Sequence, residues 1–126
     1  MPDIVVIDDD KIIRVLLEDI LTSAGHSVRL TCNGAEAVRS VDEKEPDVVI
    51  TDIFMPEKTG LETIIELRTR HPNVRIIAMS GDTISRENAH SECLRLARCL
   101  GSKVILEKPF SKTQILDALE ITLKAE

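Results

Sequence analysis

The stretch Ile4-Val5-Val6-Ile7-Asp8-Asp9-Asp10 decides the fold. A run of β-branched residues, with no polar alternation, stops abruptly at acids. Such a run fits a strand covered on both faces, and hence a parallel sheet. Similar runs recur at Asp47-Val48-Val49-Ile50, at Val74-Arg75-Ile76-Ile77-Ala78-Met79 and at Val104-Ile105-Leu106. Ser27-Val28-Arg29-Leu30 alternates instead and predicts an edge strand.

The segments between these runs carry a helical period. Residues 11 to 23 place Ile13, Leu16, Leu17, Ile20 and Leu21 on one face, with Gly25 as a stop. Asn33 caps a second helix that turns Ala37, Val38 and Val41 inward, and Pro46 lies beyond its end. Leu61, Ile64, Ile65 and Arg68 outline a third, closed by His71-Pro72. Residues 84 to 100 outline a fourth, through Ala89, Cys93, Leu96, Ala97 and Leu100. Ser111 caps a fifth that buries Ile115, Leu116, Leu119 and Leu123. A βα unit repeated in this way predicts a doubly wound α/β fold with right-handed connections.

The chain has 126 residues, which leaves room for one core and predicts one domain over residues 1–126. Aromatic residues are 2% of the chain, so Ile, Leu, Val and Ala must fill that core. The net charge of −6, with Lys and Arg scattered among acids, argues against a nonspecific nucleic-acid binder, which needs a basic face. Cys32, Cys93 and Cys99 have no CxxC spacing; they predict neither a disulfide framework nor a zinc site, but isolated buried thiols. No signal peptide or membrane span is read from the sequence, so the expected location is cytoplasmic. His26, His71 and His90 lie far apart, at loop or helix-surface positions.

The polar residues fall in a telling order. Asp8, Asp9 and Asp10 follow the first strand, Asp52 the third, Ser80 the fourth and Lys108 the fifth. Ligands of open α/β sheets bind outside the carboxyl ends of the strands, so folding should gather these residues at one edge. Carboxylates packed together repel, by roughly 4 kcal/mol for two charges about 4 Å apart at an effective dielectric of 20. A cation must offset that, and oxygen donors without His or Cys suit Mg²⁺. Lys108 could pair with a phosphoryl oxygen and Ser80 could donate to another. Taken singly, each piece has a plainer explanation. An Asp pair after a strand is most often a helix cap, as Asp10 should be, a Ser-Gly is a turn, and a Lys-Pro is a loop.

These stretches together resemble the response-regulator receiver family. Val6-Ile7-Asp8-Asp9-Asp10 is similar to its acidic opening, and Asp52-Ile53-Phe54-Met55-Pro56-Glu57-Lys58-Thr59-Gly60-Leu61 to its phosphorylation loop. Met79-Ser80-Gly81 is similar to its switch segment and Glu107-Lys108-Pro109-Phe110 to its closing motif. The resemblance spans essentially the whole chain. It implies a flavodoxin-like, CheY-like (βα)5 sheet of strand order 2-1-3-4-5. It implies Asp52 as phosphoryl acceptor, Ser80 as switch hydroxyl, and Lys108 as the bridge to the phosphoryl group. Mg²⁺ would be held by Asp8, Asp9, Asp52 and the backbone carbonyl of Phe54. A cis peptide is implied at Lys108-Pro109. The implied partners are a histidine kinase or histidine phosphotransfer protein and an output protein or domain of unknown identity. The resemblance also leaves room for a phosphorylation-dependent dimer.

The sequence departs from the family pattern at two points. Ile105 stands where the family commonly carries Tyr or Phe. Lys108 lies 28 positions after Ser80, a few more than usual, which places extra residues somewhere in 82 to 102. Phe54 either hinders an attacking water, giving slow loss of the phosphoryl group, or is merely packed at the surface. An Asp-nucleophile phosphatase usually carries a second acid at this position, so a signalling switch is expected rather than an enzyme. A docking domain that ignores phosphorylation is a third reading. The chain would work alone by docking or as the receiver portion of a longer regulator or hybrid kinase.

Overall fold

Through residue 80, strand-forming runs and helical segments alternate as the sequence predicts. The computed structural model describes residues 2–53, 60–80 and 104–124. In chain order these form β1 (Asp3–Ile7), α1 (Lys11–Ser23), β2 (Ser27–Thr31), α2 (Gly34–Glu43), β3 (Val48–Asp52), α3 (Gly60–Arg70), β4 (Arg75–Ser80), β5 (Val104–Glu107) and α4 (Lys112–Lys124). The predicted helix over residues 84 to 100 lies outside the described residues, as do Cys93, Cys99 and His90. Among the described residues no helix is long and apolar enough to cross a membrane.

The five strands form one parallel sheet of order β2-β1-β3-β4-β5, as the resemblance implied. The alternating reading of Ser27–Leu30 fits this order, since β2 is an edge strand. Successive residues of each strand face opposite sides, so the sheet feeds two cores. Val5, Ile7, Val49, Ile76 and Ala78 pack with Ala37, Val38 and Val41 of α2 and with Ile64 and Leu67 of α3. Ile4, Val6, Val48, Ile50, Ile77 and Met79 pack with Leu17, Ile20 and Leu21 of α1 and with Ile115, Ala118 and Leu119 of α4. Burial on both faces is what the uninterrupted apolar runs reported. Each fully buried side chain of this size stabilises the fold by about 1.5–3 kcal/mol before entropy is counted.

Helix starts follow the predicted caps. Asp10 Oδ1 accepts from the Ile12 amide, Asn33 Oδ1 from the Glu36 amide, and Ser111 Oγ from the Gln114 amide. Gln114 Oε1 accepts in return from the Ser111 amide, which completes a capping box. One inward assignment fails. Leu16 is 41% exposed, because the helical stripe is narrower than the full set of apolar positions, and on α3 Ile65 likewise faces out. On α3 the buried partner of Ile64 and Leu67 is Thr63 instead. Cys32 is exposed, contrary to the expected buried thiol, since it sits past the end of β2 beside the α2 cap.

Candidate functional site

Register builds the site. Ile7 pairs with Thr51, so the next residues, Asp8 and Asp52, come level at the carboxyl ends of β1 and β3. Asp52 pairs with Met79, and Ser80 pairs with Glu107, which places Lys108 one step beyond. The chain leaves β1 for β2 on one side and returns to β3 on the other. The reversal of strand order therefore falls between the strands that carry Asp8 and Asp52. Sequence reading put Asp52 and Ser80 after their strands, whereas each is the last residue of its strand. The ladder reaches two residues beyond the apolar run in β3 and one in β4 because both strands still have neighbours to pair with there.

The side chains converge. Lys108 Nζ donates to Asp8 Oδ2 at 2.7 Å and to Asp52 Oδ2 at 3.0 Å. Asp8, Asp9 and Asp52 each bring a carboxylate oxygen within 4.8 Å of the others. Asp8 is fully buried, Asp52 nearly so, and Asp9 exposed. Burial alone would lower the Lys108 pKa, but the hydrogen bond to Asp8 and the charge of Asp52 outweigh it and hold the ammonium above its ordinary value. Lys108 is therefore a fixed positive charge at neutral pH.

Asp8 is tied at several atoms. Its amide donates to Thr31 O at 3.2 Å, and its Oδ1 accepts from the Asp10 amide at 2.9 Å. Its carbonyl accepts from Arg14 Nη1 at 2.8 Å. Asp8 thus has both carboxylate oxygens engaged, one by Asp10 and one by Lys108. The backbone of Asp52 and Ile53 is held at two carbonyls. Thr51 Oγ1 donates to Asp52 O at 3.1 Å, and the Gly60 amide donates to Ile53 O at 2.8 Å. Gly60 lies so near that a Cβ there would run into the Asp52 carbonyl and, at 2.5 Å, the Ile53 Cα. The glycine that opens α3 is thus a requirement of close backbone approach.

Ser80 is buried, and among the described residues its Oγ has no hydrogen-bond partner. An orphaned buried hydroxyl is costly unless something arrives to use it. Its carbonyl accepts from the Lys108 amide at 2.8 Å, which links the ends of β4 and β5. The Lys108-Pro109 peptide is cis. Phe54 and Gly81 lie outside the described residues. Ile105 is partly buried against the core cluster of Ala78 and Ile53.

The donor set fits Mg²⁺: hard carboxylate oxygens, no thiolate or imidazole, and an acid excess that a divalent ion would relieve. Sequence reading therefore placed Asp8, Asp9, Asp52 and Lys108 correctly as neighbours. It missed Arg14, Thr51 and the closeness of Gly60 to Asp52. Arg14 could have been noticed as a cation in the first turn of the helix that follows the acids. Thr51 gives no such signal, since a Thr in a buried strand is ordinary.

Residues 4–120 match the family model described as response regulator receiver domain. The chain is 34% identical over 117 residues to the chemotaxis protein CheY of Thermotoga maritima, covering 92% of each chain. It is 34% identical over 122 residues to the DNA-binding transcriptional regulator NtrC of Azospirillum brasilense, covering 97% of this chain and 24% of that protein. Among solved structures, the chemotaxis protein CheY4 of Vibrio cholerae matches with a TM-score of 0.87 at 26% identity, over 98% of this chain and 99% of that one.

Proposed function

This chain belongs to the response regulator receiver family, and from that premise we propose that it accepts a phosphoryl group on Asp52 in a Mg²⁺-dependent reaction. The donor is a histidine kinase or histidine phosphotransfer protein. The observation that carries the reading is Lys108 Nζ bridging Asp8 and Asp52 at the sheet's switch point, with Asp9 close by.

The roles follow from how each carboxylate is held. Asp8, fully buried and fixed by the Asp10 amide and Lys108, is assigned to the metal rather than to the attack on phosphorus. Asp9 is exposed and completes the acidic rim. Asp52 sits at the centre with its backbone clamped, fit to attack phosphorus in line. Its oxygen forms the new P–O bond while the P–N bond of phosphohistidine breaks, and the departing imidazole nitrogen takes up a proton. Lys108 offsets charge on the phosphoryl oxygens, and the Ser80 hydroxyl supplies a donor for the product. Bound Mg²⁺, held by Asp8, Asp9, Asp52 and the Phe54 carbonyl of the family pattern, would neutralise charge shared between the acids and the incoming phosphate.

The product carries extra charge at one sheet edge, and the Ser80 end of β4 is the element beside it. The new hydrogen bond to Ser80 biases a conformational equilibrium that a partner or attached domain reads. On this reading the chain is a switch and not an enzyme. Incubation with acetyl phosphate and Mg²⁺, followed by intact-mass measurement, tests it. One phosphoryl group should appear with Mg²⁺ and disappear with a chelator. No gain in mass, or an equal gain in Asp52→Asn, contradicts it.

A further inference from the structure

We infer that Arg14 is a positioning residue for the metal pocket, acting through the Asp8–Asp9 peptide; the inference rests on the reading of that pocket as a Mg²⁺ site. The last sheet bond of this segment is Asp8 amide to Thr31 O. Beyond it the backbone must leave the ladder, cross the pocket and enter α1 within a few residues. The Asp8 carbonyl, past the ladder, is taken by Arg14 Nη1 at 2.8 Å from the first turn of that helix. The Arg14 amide meanwhile donates to Asp10 O at 3.1 Å as the helix begins. One residue thus anchors the start of α1 with its backbone and reaches back with its guanidinium.

A peptide is planar, so fixing its carbonyl fixes the plane that leads to the Asp9 Cα. That plane sets where Asp9 leaves the backbone relative to Asp8. Asp8 itself is immobile, held through its amide, both carboxylate oxygens and its carbonyl. Asp9 is exposed, and among the described residues it is directed by this peptide and the α1 start. A divalent ion that needs oxygens from both residues is therefore sensitive to the Arg14 bond.

Positioning and simple charge predict opposite signs. Arg14 is a cation near an acidic pocket, and by Coulomb attraction alone its removal would tighten cation binding. If it orients the peptide, its removal loosens binding. Outer partners of metal ligands typically alter affinity by about 10–100-fold, and we expect about tenfold here, the lower end, because the bond reaches the ligand through the backbone.

The test is a titration of ¹⁵N-labelled protein with MgCl₂, following backbone amides by NMR, in the wild type, Arg14→Lys and Arg14→Met. The ion-free spectra show that each variant is folded and whether the Asp9 and Asp10 amides have moved. Arg14→Met should shift those amides before any ion is added and bind Mg²⁺ about tenfold more weakly. Arg14→Lys, which keeps a donor of similar reach, should recover part or all of the loss. Unchanged or tighter binding in Arg14→Met overturns the inference while leaving the phospho-acceptor reading intact. A wild-type chain that binds no Mg²⁺ removes that reading and this inference together.

Discussion

The two ends of the sheet are both edged with ion pairs, and they are built to opposite purposes. At the amino end, Arg29 Nη2 meets Asp3 Oδ2 at 2.9 Å, and its other donors reach Ser40 O, Ser40 Oγ and Lys44 O. Asp47 Oδ2 accepts from the Asp3 amide at 2.7 Å. The guanidinium there also closes the last turn of α2. At the carboxyl end, one ammonium serves two carboxylates, a third lies within reach, and Ser80 Oγ has no partner among the described residues. The amino edge is tied by pairs that stabilise the fold. At the carboxyl edge the described acids outnumber the described cation, and on the proposed reading a divalent ion redresses that balance.

Breaking the amino edge should have the largest effect on stability. Arg29→Met leaves Asp3 and the α2 carbonyls without their donor, and we expect urea unfolding to show a loss of about 2–3 kcal/mol, the range for hydrogen bonds to charged groups. A loss under about 0.5 kcal/mol, typical of neutral surface changes, would mean that the pairing is incidental. Gly60→Ala comes next. The added Cβ forces the Asp52 backbone aside, so stability should fall by about 2 kcal/mol, as for overpacking, and phosphoryl uptake should slow even at low temperature where the variant is folded.

At the carboxyl edge the sign should reverse. Without Mg²⁺, Asp52→Asn relieves repulsion, and it should raise stability by about 1 kcal/mol, a usual stability–function exchange. Mg²⁺ should stabilise the wild type in proportion to occupancy and this variant much less. A destabilised Asp52→Asn would mean that the ion pair with Lys108 outweighs the repulsion. The smallest effect concerns pH. Lys108 has its pKa raised above 10.5 in the fold, so its contribution is complete below that value and fades as pH climbs through the raised one. With no tyrosine in the chain to titrate alongside it, comparing the alkaline stability profiles of the wild type and Lys108→Met isolates that contribution. Identical slopes would contradict it.

What could be read from the sequence follows the same division. Uninterrupted β-branched runs report burial on two faces, and turn and cap residues report boundaries, so the sheet and the helices around it were legible. The acids and Lys108 were legible because they sit where strands end, and strand ends converge in this topology. Strand order rested on the resemblance, since no local pattern says which strands are neighbours. Leu16 misled because periodicity ranks apolar positions without knowing how wide a stripe the sheet covers. Arg29 read as one polar member of an alternating strand, and its match to Asp3 and α2 depends on contacts distant in sequence. The Arg14 bond and the Gly60 approach escaped for the same reason.

The account depends on Asp52, rather than Asp8 or Asp9, being the nucleophile. Borohydride reduces an aspartyl phosphate to homoserine and so marks the acceptor permanently. After treatment with acetyl phosphate and Mg²⁺, peptide mass spectrometry should find homoserine at position 52 and unaltered aspartate at 8 and 9. Homoserine at 8 or 9, or at none of the three, would contradict the account.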